Sequence, residues 1–248
     1  MTTLIVLIPA GFILGALINY LADVLPITRK LSAPKCVYCG GDISWKSYLA
    51  LRNCPECEKS RLIRAWLLPL LGVGVTIWFW YWPPYYLGFW WSIVLLAYLT
   101  LVAIIDIEHH LILHPVSLAG LALGLVMGLA RHSFLETLLG GAFGFGVMLA
   151  LYFLGRVFAR VLARRRGQTL EDDEALGFGD VNLSGIIGLI MGWPAIVGGL
   201  FLAVILGGVA GGLVLLGGAL RGRQNAYMFI PYGPFLVLAI ILLLYPAW

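Results

Sequence analysis

What most constrains this chain is the recurrence of long apolar runs. They lie near 3–22, 65–82, 88–106, 111–130, 134–154, 178–195, 197–219 and 228–247. Each is close to the ~20 residues a helix needs to cross about 30 Å of hydrocarbon. No soluble core of this length could absorb so much apolar surface. Of 248 residues, 61% are hydrophobic and only 11% charged, against about 45–50% and about 25% in soluble domains. The expected fold is therefore all-α, a polytopic integral membrane protein with about eight transmembrane helices.

The placement of charge agrees with that count. Cytoplasmic loops carry an excess of Lys and Arg. With the spans above, the basic residues fall into loops on one side: Arg29 to Arg64, Arg156 to Arg166, and Arg221 with Arg223. Of the 16 Lys and Arg, only Arg131 falls on the other side. Both termini are thus expected outside the cytoplasm. No basic residue precedes the run Leu4 to Tyr20, which reads as a retained first span rather than a cleaved signal. Trp78, Trp80, Tyr81, Trp82, Tyr85 and Tyr86 form a cluster suited to a membrane–water interface. The expected organisation is a first transmembrane helix at 1–27, a cytoplasmic loop at 28–64 and a transmembrane core at 65–248. The bilayer is the implied partner, and the net charge of +4 gives no reason to expect nucleic acid. Gly207-Gly208, Gly211-Gly212 and Gly217-Gly218 suit close helix packing in lipid.

All four cysteines fall in the first basic loop. Cys36-Val-Tyr-Cys39 and Cys54-Pro-Glu-Cys57 are two C-x-x-C knuckles separated by 14 residues. Two such knuckles supply four thiolates to one tetrahedral Zn²⁺. Two disulfides are the alternative, disfavoured by a cytoplasmic location. Four protein ligands leave no open position for a reacting water, so the expected role of the zinc is structural. In a loop with little core of its own, metal binding supplies folding free energy.

Acids inside membrane spans are costly and need a reason. Asp106 ends a span arriving at the cytoplasmic face, and Asp180 begins one leaving it, so the topology puts both at similar depth. Two carboxylates sharing one desolvated site can divide the work, one taking a proton from water and the other polarising a carbonyl. Gly177 and Gly179, lacking Cβ, would let a substrate backbone approach Asp180. The plainer alternative makes each aspartate a helix cap. His109, His110 and His114 lie close to Asp106 in sequence and read as interfacial polarity, with a second metal site as the alternative. The run Glu171 to Glu174 reads as a solvated loop, or as an attractor for a basic peptide.

These words together resemble the type IV prepilin peptidases, a branch of the GxGD membrane aspartyl proteases. Gly177-Phe178-Gly179-Asp180 is similar to the family's second catalytic motif and Ile105-Asp106-Ile107-Glu108 to its first. Gly11 to Asn19 with Leu25-Pro26 resembles the opening segment. The paired knuckles with Ile43-Ser44-Trp45 resemble the cytoplasmic loop, and Ile230 to Phe235 the closing motif. Asn182 stands where the family often has Lys, Leu113-His114-Pro115 is out of step with a Leu-Pro-Asp, and the gap between knuckles is short. The resemblance implies an aspartic endopeptidase of the bacterial inner membrane with Asp106 and Asp180 as the catalytic pair. It would cut the basic leader of type IV prepilins or pseudopilins after a glycine, at the cytoplasmic face. It also implies possible N-methylation of the new N-terminus with S-adenosylmethionine, whose site the sequence does not locate. A transporter or assembly scaffold with intramembrane acids is the rival from another class. Transporters place such acids near the bilayer midplane, whereas these lie at the inner edge.

Overall fold

The computed structural model describes residues 2–59, 63–166, 177–220 and 232–245. Among them the all-α expectation holds: nine helices form, and the one extended pairing is an isolated antiparallel bridge between Lys35 and Asp42. Five helices are long and apolar enough to cross a membrane: those at 3–28, 88–109, 114–131, 134–157 and 195–214. The protein is a membrane protein. The expected eight spans correspond in place to eight helices, but three of these fall short of that standard. One runs from Arg64 to Tyr81, and the two others, Phe178–Met191 and Gly233–Leu244, have only 14 and 12 residues. At 1.5 Å per residue they cover about 21 Å and about 18 Å, less than a ~30 Å core.

The chain divides into two compact units. The first comprises residues 1–109 with 244–248. It holds α1 (Thr2–Thr28), the short α2 (Trp45–Leu49), α3 (Arg64–Tyr81) and α4 (Gly88–His109). Helices α1 and α3 meet backbone to backbone. A Cβ on Gly11 would lie 2.6 Å from the Gly72 oxygen and from the Val73 Cα, and one on Gly15 would lie 2.6 Å from the Pro69 Cα. Lipid tails are as apolar as Leu, so helices in a bilayer are held by close van der Waals packing. Glycines four residues apart permit it. Pro69 sits inside α3, which runs through it without a break.

The second unit, residues 110–243, holds α5 (His114–Arg131), α6 (Phe134–Arg166), α7 (Phe178–Met191), α8 (Ala195–Leu220) and α9 (Gly233–Leu244). Pro115, in the out-of-step triplet, opens α5, a position where its missing N–H costs nothing. Helix α7 is the centre of this unit. From Val181 to Met191 nearly every side chain is buried, and Leu183 and Ser184 are fully so. A helix apolar on all sides belongs inside a bundle.

Glycines set the distances here as well. A Cβ on Gly188 would come within 3.0 Å of the Gly141 Cα, and one on Gly140 within 2.7 Å of the Gly192 carbonyl carbon. Ser184 Oγ donates to the Gly144 oxygen at 2.7 Å. These seam glycines are not the pairs read from the sequence. Around Gly208, Gly212 and Gly217 no described atom would lie within 4 Å of an added Cβ, and at Gly207 the nearest is a Tyr232 ring carbon at 3.1 Å. Paired glycines show permissiveness, whereas the seam requires glycine only on the buried face.

Candidate active site and metal centre

The cysteines are brought together. Their four Sγ atoms all lie within 4.8 Å of one another, with Cys36–Cys57 and Cys39–Cys54 each at 3.7 Å. A disulfide would need about 2.05 Å, and all four thiols are free, which sets the disulfide alternative aside. Four sulfurs about 2.3 Å from a central zinc sit roughly 3.8 Å apart, close to the separations found. The two knuckles repeat one backbone pattern. In each, the first cysteine's N–H bonds a carbonyl five residues on: Cys36 to Gly41 at 2.9 Å and Cys54 to Lys59 at 3.3 Å. In each, the residue after the second cysteine is left-handed, Gly40 at φ 73° and Glu58 at φ 54°. The Gly40 and Glu58 N–H groups return to the Cys36 and Cys54 carbonyls.

Crowding sulfurs makes each successive thiolate harder to form. Backbone N–H groups of Cys57 and then Glu56 face Cys54, and its thiol is lowered to about 7. Cys39 faces the Gly41 N–H, yet burial and the other three sulfurs push it up to about 12. A divalent cation at the centre would remove that repulsion, so the donor set fits zinc. Among the described residues no other group of His, Cys, Asp or Glu gathers closely enough to hold a metal, and His109, His110 and His114 do not form one.

The cysteine loop is anchored to α1. Tyr20 and Val24 pack with Cys36, Ile43, Tyr48 and Cys54 in one buried cluster. Ser44 caps α2 through its hydroxyl. Beneath this cluster lies a polar layer that the sequence analysis missed. Tyr48 donates to Asp23 Oδ2 at 2.6 Å, Asn19 donates to the Tyr48 hydroxyl at 3.0 Å, and Arg64 Nη2 donates to Asp23 Oδ1 at 2.6 Å. Arg64 Nε also pairs with Glu108 at 3.0 Å. From the sequence, Arg64 reads only as one of the basic loop charges. The available signal was Asp23, an acid within an apolar run.

The two aspartates sit on different units, each in a defined helical position. Asp106 is buried, 5% exposed, in the last turn of α4. An acid there has no help from the helix dipole. It lies inside α4 and caps no following helix, because α4 runs on to His109 and α5 starts only at His114. Asp180 is buried, 7% exposed, in the first turn of α7, the end where an acidic side chain is favoured. It is not the cap either. Gly177 occupies the N-cap position, and the Asp180 N–H returns to the Gly177 oxygen at 3.0 Å.

The glycines of the motif differ. Among the described residues, a Cβ at Gly177 would have Asp180 Oδ2 at 3.8 Å and the Gly179 nitrogen at 4.0 Å nearby, whereas one at Gly179 would lie 2.6 Å from the Ile112 Cβ. Gly179 thus seats α7 against the chain before α5, and no described atom crowds Gly177. The acidic run 171–174 lies outside the described residues, as do Ile230 and Pro231 of the closing motif.

Two buried acids at helix ends, one preceded by Gly-x-Gly, occupy one continuous segment that matches a known family. Residues 93–212 match the type IV leader peptidase family. That segment contains both Asp106 and Asp180, and the resemblance carried by the motifs is borne out. A prepilin leader peptidase/N-methyltransferase of Myxococcus xanthus is 29% identical over 237 residues, covering 87% of this chain. The chain spans 64% of that relative's length. No solved structure matches.

Proposed function

We propose that this chain is an aspartic endopeptidase of the bacterial inner membrane that removes the basic leader of type IV prepilins or pseudopilins. The observation that carries the reading is the pair of buried acids, Asp106 and Asp180, inside the segment matching the leader peptidase family. Asp106 lies in the last turn of α4 and Asp180 in the first turn of α7, and neither is the residue that caps its helix. In this reading one carboxylate takes a proton from water as it attacks. The other, protonated, polarises the scissile carbonyl and later passes its proton to the leaving amine. Gly177 offers the open approach beside Asp180, with Gly179 holding the turn that presents it. Cleavage follows a glycine at the cytoplasmic face, where the basic loops lie.

The proposed topology has eight crossings with both termini outside the cytoplasm. Zn²⁺ is structural, held by Cys36, Cys39, Cys54 and Cys57. The relative's name adds an N-methyltransferase activity, and S-adenosylmethionine would supply the methyl group. No residue here is assigned to that donor.

The deciding experiment is cleavage of a prepilin by the full chain in lipid vesicles, read by intact mass. Wild type is expected to release the leader, while folded Asp106→Asn and Asp180→Asn do not. Cleavage by both variants would overturn the aspartyl mechanism. Failure of the wild type on several prepilins would favour the scaffold or transporter reading.

A further inference from the structure

The first unit holds buried charges that the chemistry above does not use. Arg64 is the first residue of α3, and its side chain is only 12% exposed. It touches two acids: Asp23 of α1 at 2.6 Å, 7% exposed, and Glu108 of α4 at 3.0 Å, 27% exposed. The second oxygen of Asp23 is held by Tyr48 at 2.6 Å, from the short helix inside the cysteine loop. The metal module, α1, α3 and the last turn of α4 are thus joined through one guanidinium. A planar fork with several donors is the side chain that can serve two carboxylates at once.

The place where this tie ends is informative. Glu108 lies two residues beyond Asp106, and α4 stops one residue later, with His110 left-handed at φ 55°. The last carbonyls of a helix have no partners within it, so a terminal turn frays unless something holds it. Successive residues are about 100° apart around a helix, so Asp106 and Glu108 leave opposite sides of the turn. Holding one fixes the rotation of the other. The tie is anchored on its buried side, because Asp23 and Arg64 are largely out of water while Glu108 is more open, and removing Arg64 leaves Asp23 an unmatched buried charge and forces rearrangement.

We propose that Arg64 is a positioning residue for Asp106, acting through Glu108, with Asp23 and Tyr48 orienting the guanidinium from the metal module. This rests on the reading of Asp106 as a reacting carboxylate. The chain is assayed whole, zinc-loaded and in lipid vesicles, on a prepilin, as wild type, Arg64→Gln, Arg64→Lys, Glu108→Gln and the double Arg64→Gln/Glu108→Gln. Small displacements of a reacting group cost up to about 100-fold in rate. Each Gln variant is therefore expected to lose about 10- to 100-fold in kcat per folded enzyme, with KM within about 2-fold of wild type. The double variant should be no worse than the poorer single one, and Arg64→Lys should recover part of the loss. Hydrogen exchange of amides 107–110 should speed up in Arg64→Gln while those of α1 stay protected.

Additive losses in the double variant, or an unchanged kcat per folded enzyme in Arg64→Gln, would overturn the proposal. A loss that tracks only the folded fraction would also overturn it. If wild type cuts no prepilin, the peptidase reading falls and takes this one with it. If wild type cuts and Arg64→Gln cuts equally well, only the positioning role falls.

Discussion

A buried acid, a left-handed residue and a glycine against a side chain each pose a separate question of cost. Asp106 and Asp180 are both buried, and neither caps its helix. The two glycines before Asp180 are not equivalent. Overpacking a filled site costs about 1–3 kcal/mol. Gly179→Ala must push against Ile112, whereas among the described residues Gly177→Ala meets only ordinary contacts. Gly179→Ala is expected to lower thermal stability by about that amount and Gly177→Ala by less than about 0.5 kcal/mol. Thermal unfolding in detergent checks the ranking, and equal losses would count against the packing role of Gly179. If Gly177 lines the substrate's path, Gly177→Ala should instead raise KM, read from initial rates over a range of prepilin concentrations.

Among elements, the metal loop and the glycine seam carry the most specific expectations. The loop's own core is small, formed with Tyr20 and Val24 of α1, so the metal should supply much of its order. Metal analysis is expected to find one zinc per chain. Strong chelation should then raise hydrogen exchange across residues 28–59 while α5 to α8 stay protected. A chain without metal whose loop is equally protected would contradict the four-thiolate site. In the second unit, α6 and α7 approach through Gly140, Gly144 and Gly188. Gly188→Leu is expected to disrupt folding and lose activity, because the facing element is backbone and cannot yield. Gly208→Leu, with no described atom within 4 Å of an added Cβ, should leave unfolding and cleavage near wild type. Comparison of the two by unfolding and cleavage tests whether the buried seam, rather than the paired glycines, holds the bundle.

At the scale of the whole molecule, topology is the property to measure. A reporter active only outside the cytoplasm should be active when fused at the C-terminus and silent when placed between residues 166 and 177. Among the described residues, five helices meet the length and apolarity that a crossing needs. The reporter pattern decides whether α3, α7 and α9 also cross. An inactive C-terminal fusion would remove one crossing and invert the side assigned to the last segment.

The sequence by itself determined the all-α membrane class, the cysteine cluster and the family segment. These depend on local properties: run length against bilayer thickness, the spacing of thiols within one short loop, and a motif of adjacent residues. Charge counting could not show that Arg64 is bound between Asp23 and Glu108, because those residues are far apart in sequence. Nor could composition separate glycines that face another backbone from glycines with open space around them. That distinction depends on helix rotation, which a run apolar on all sides does not encode. The caps were legible as possibilities for Asp106 and Asp180, and only the folded helices placed both acids elsewhere. What tertiary structure decided was which side chains meet, since burial of charge and approach of backbones are set by three-dimensional packing and not by order along the chain.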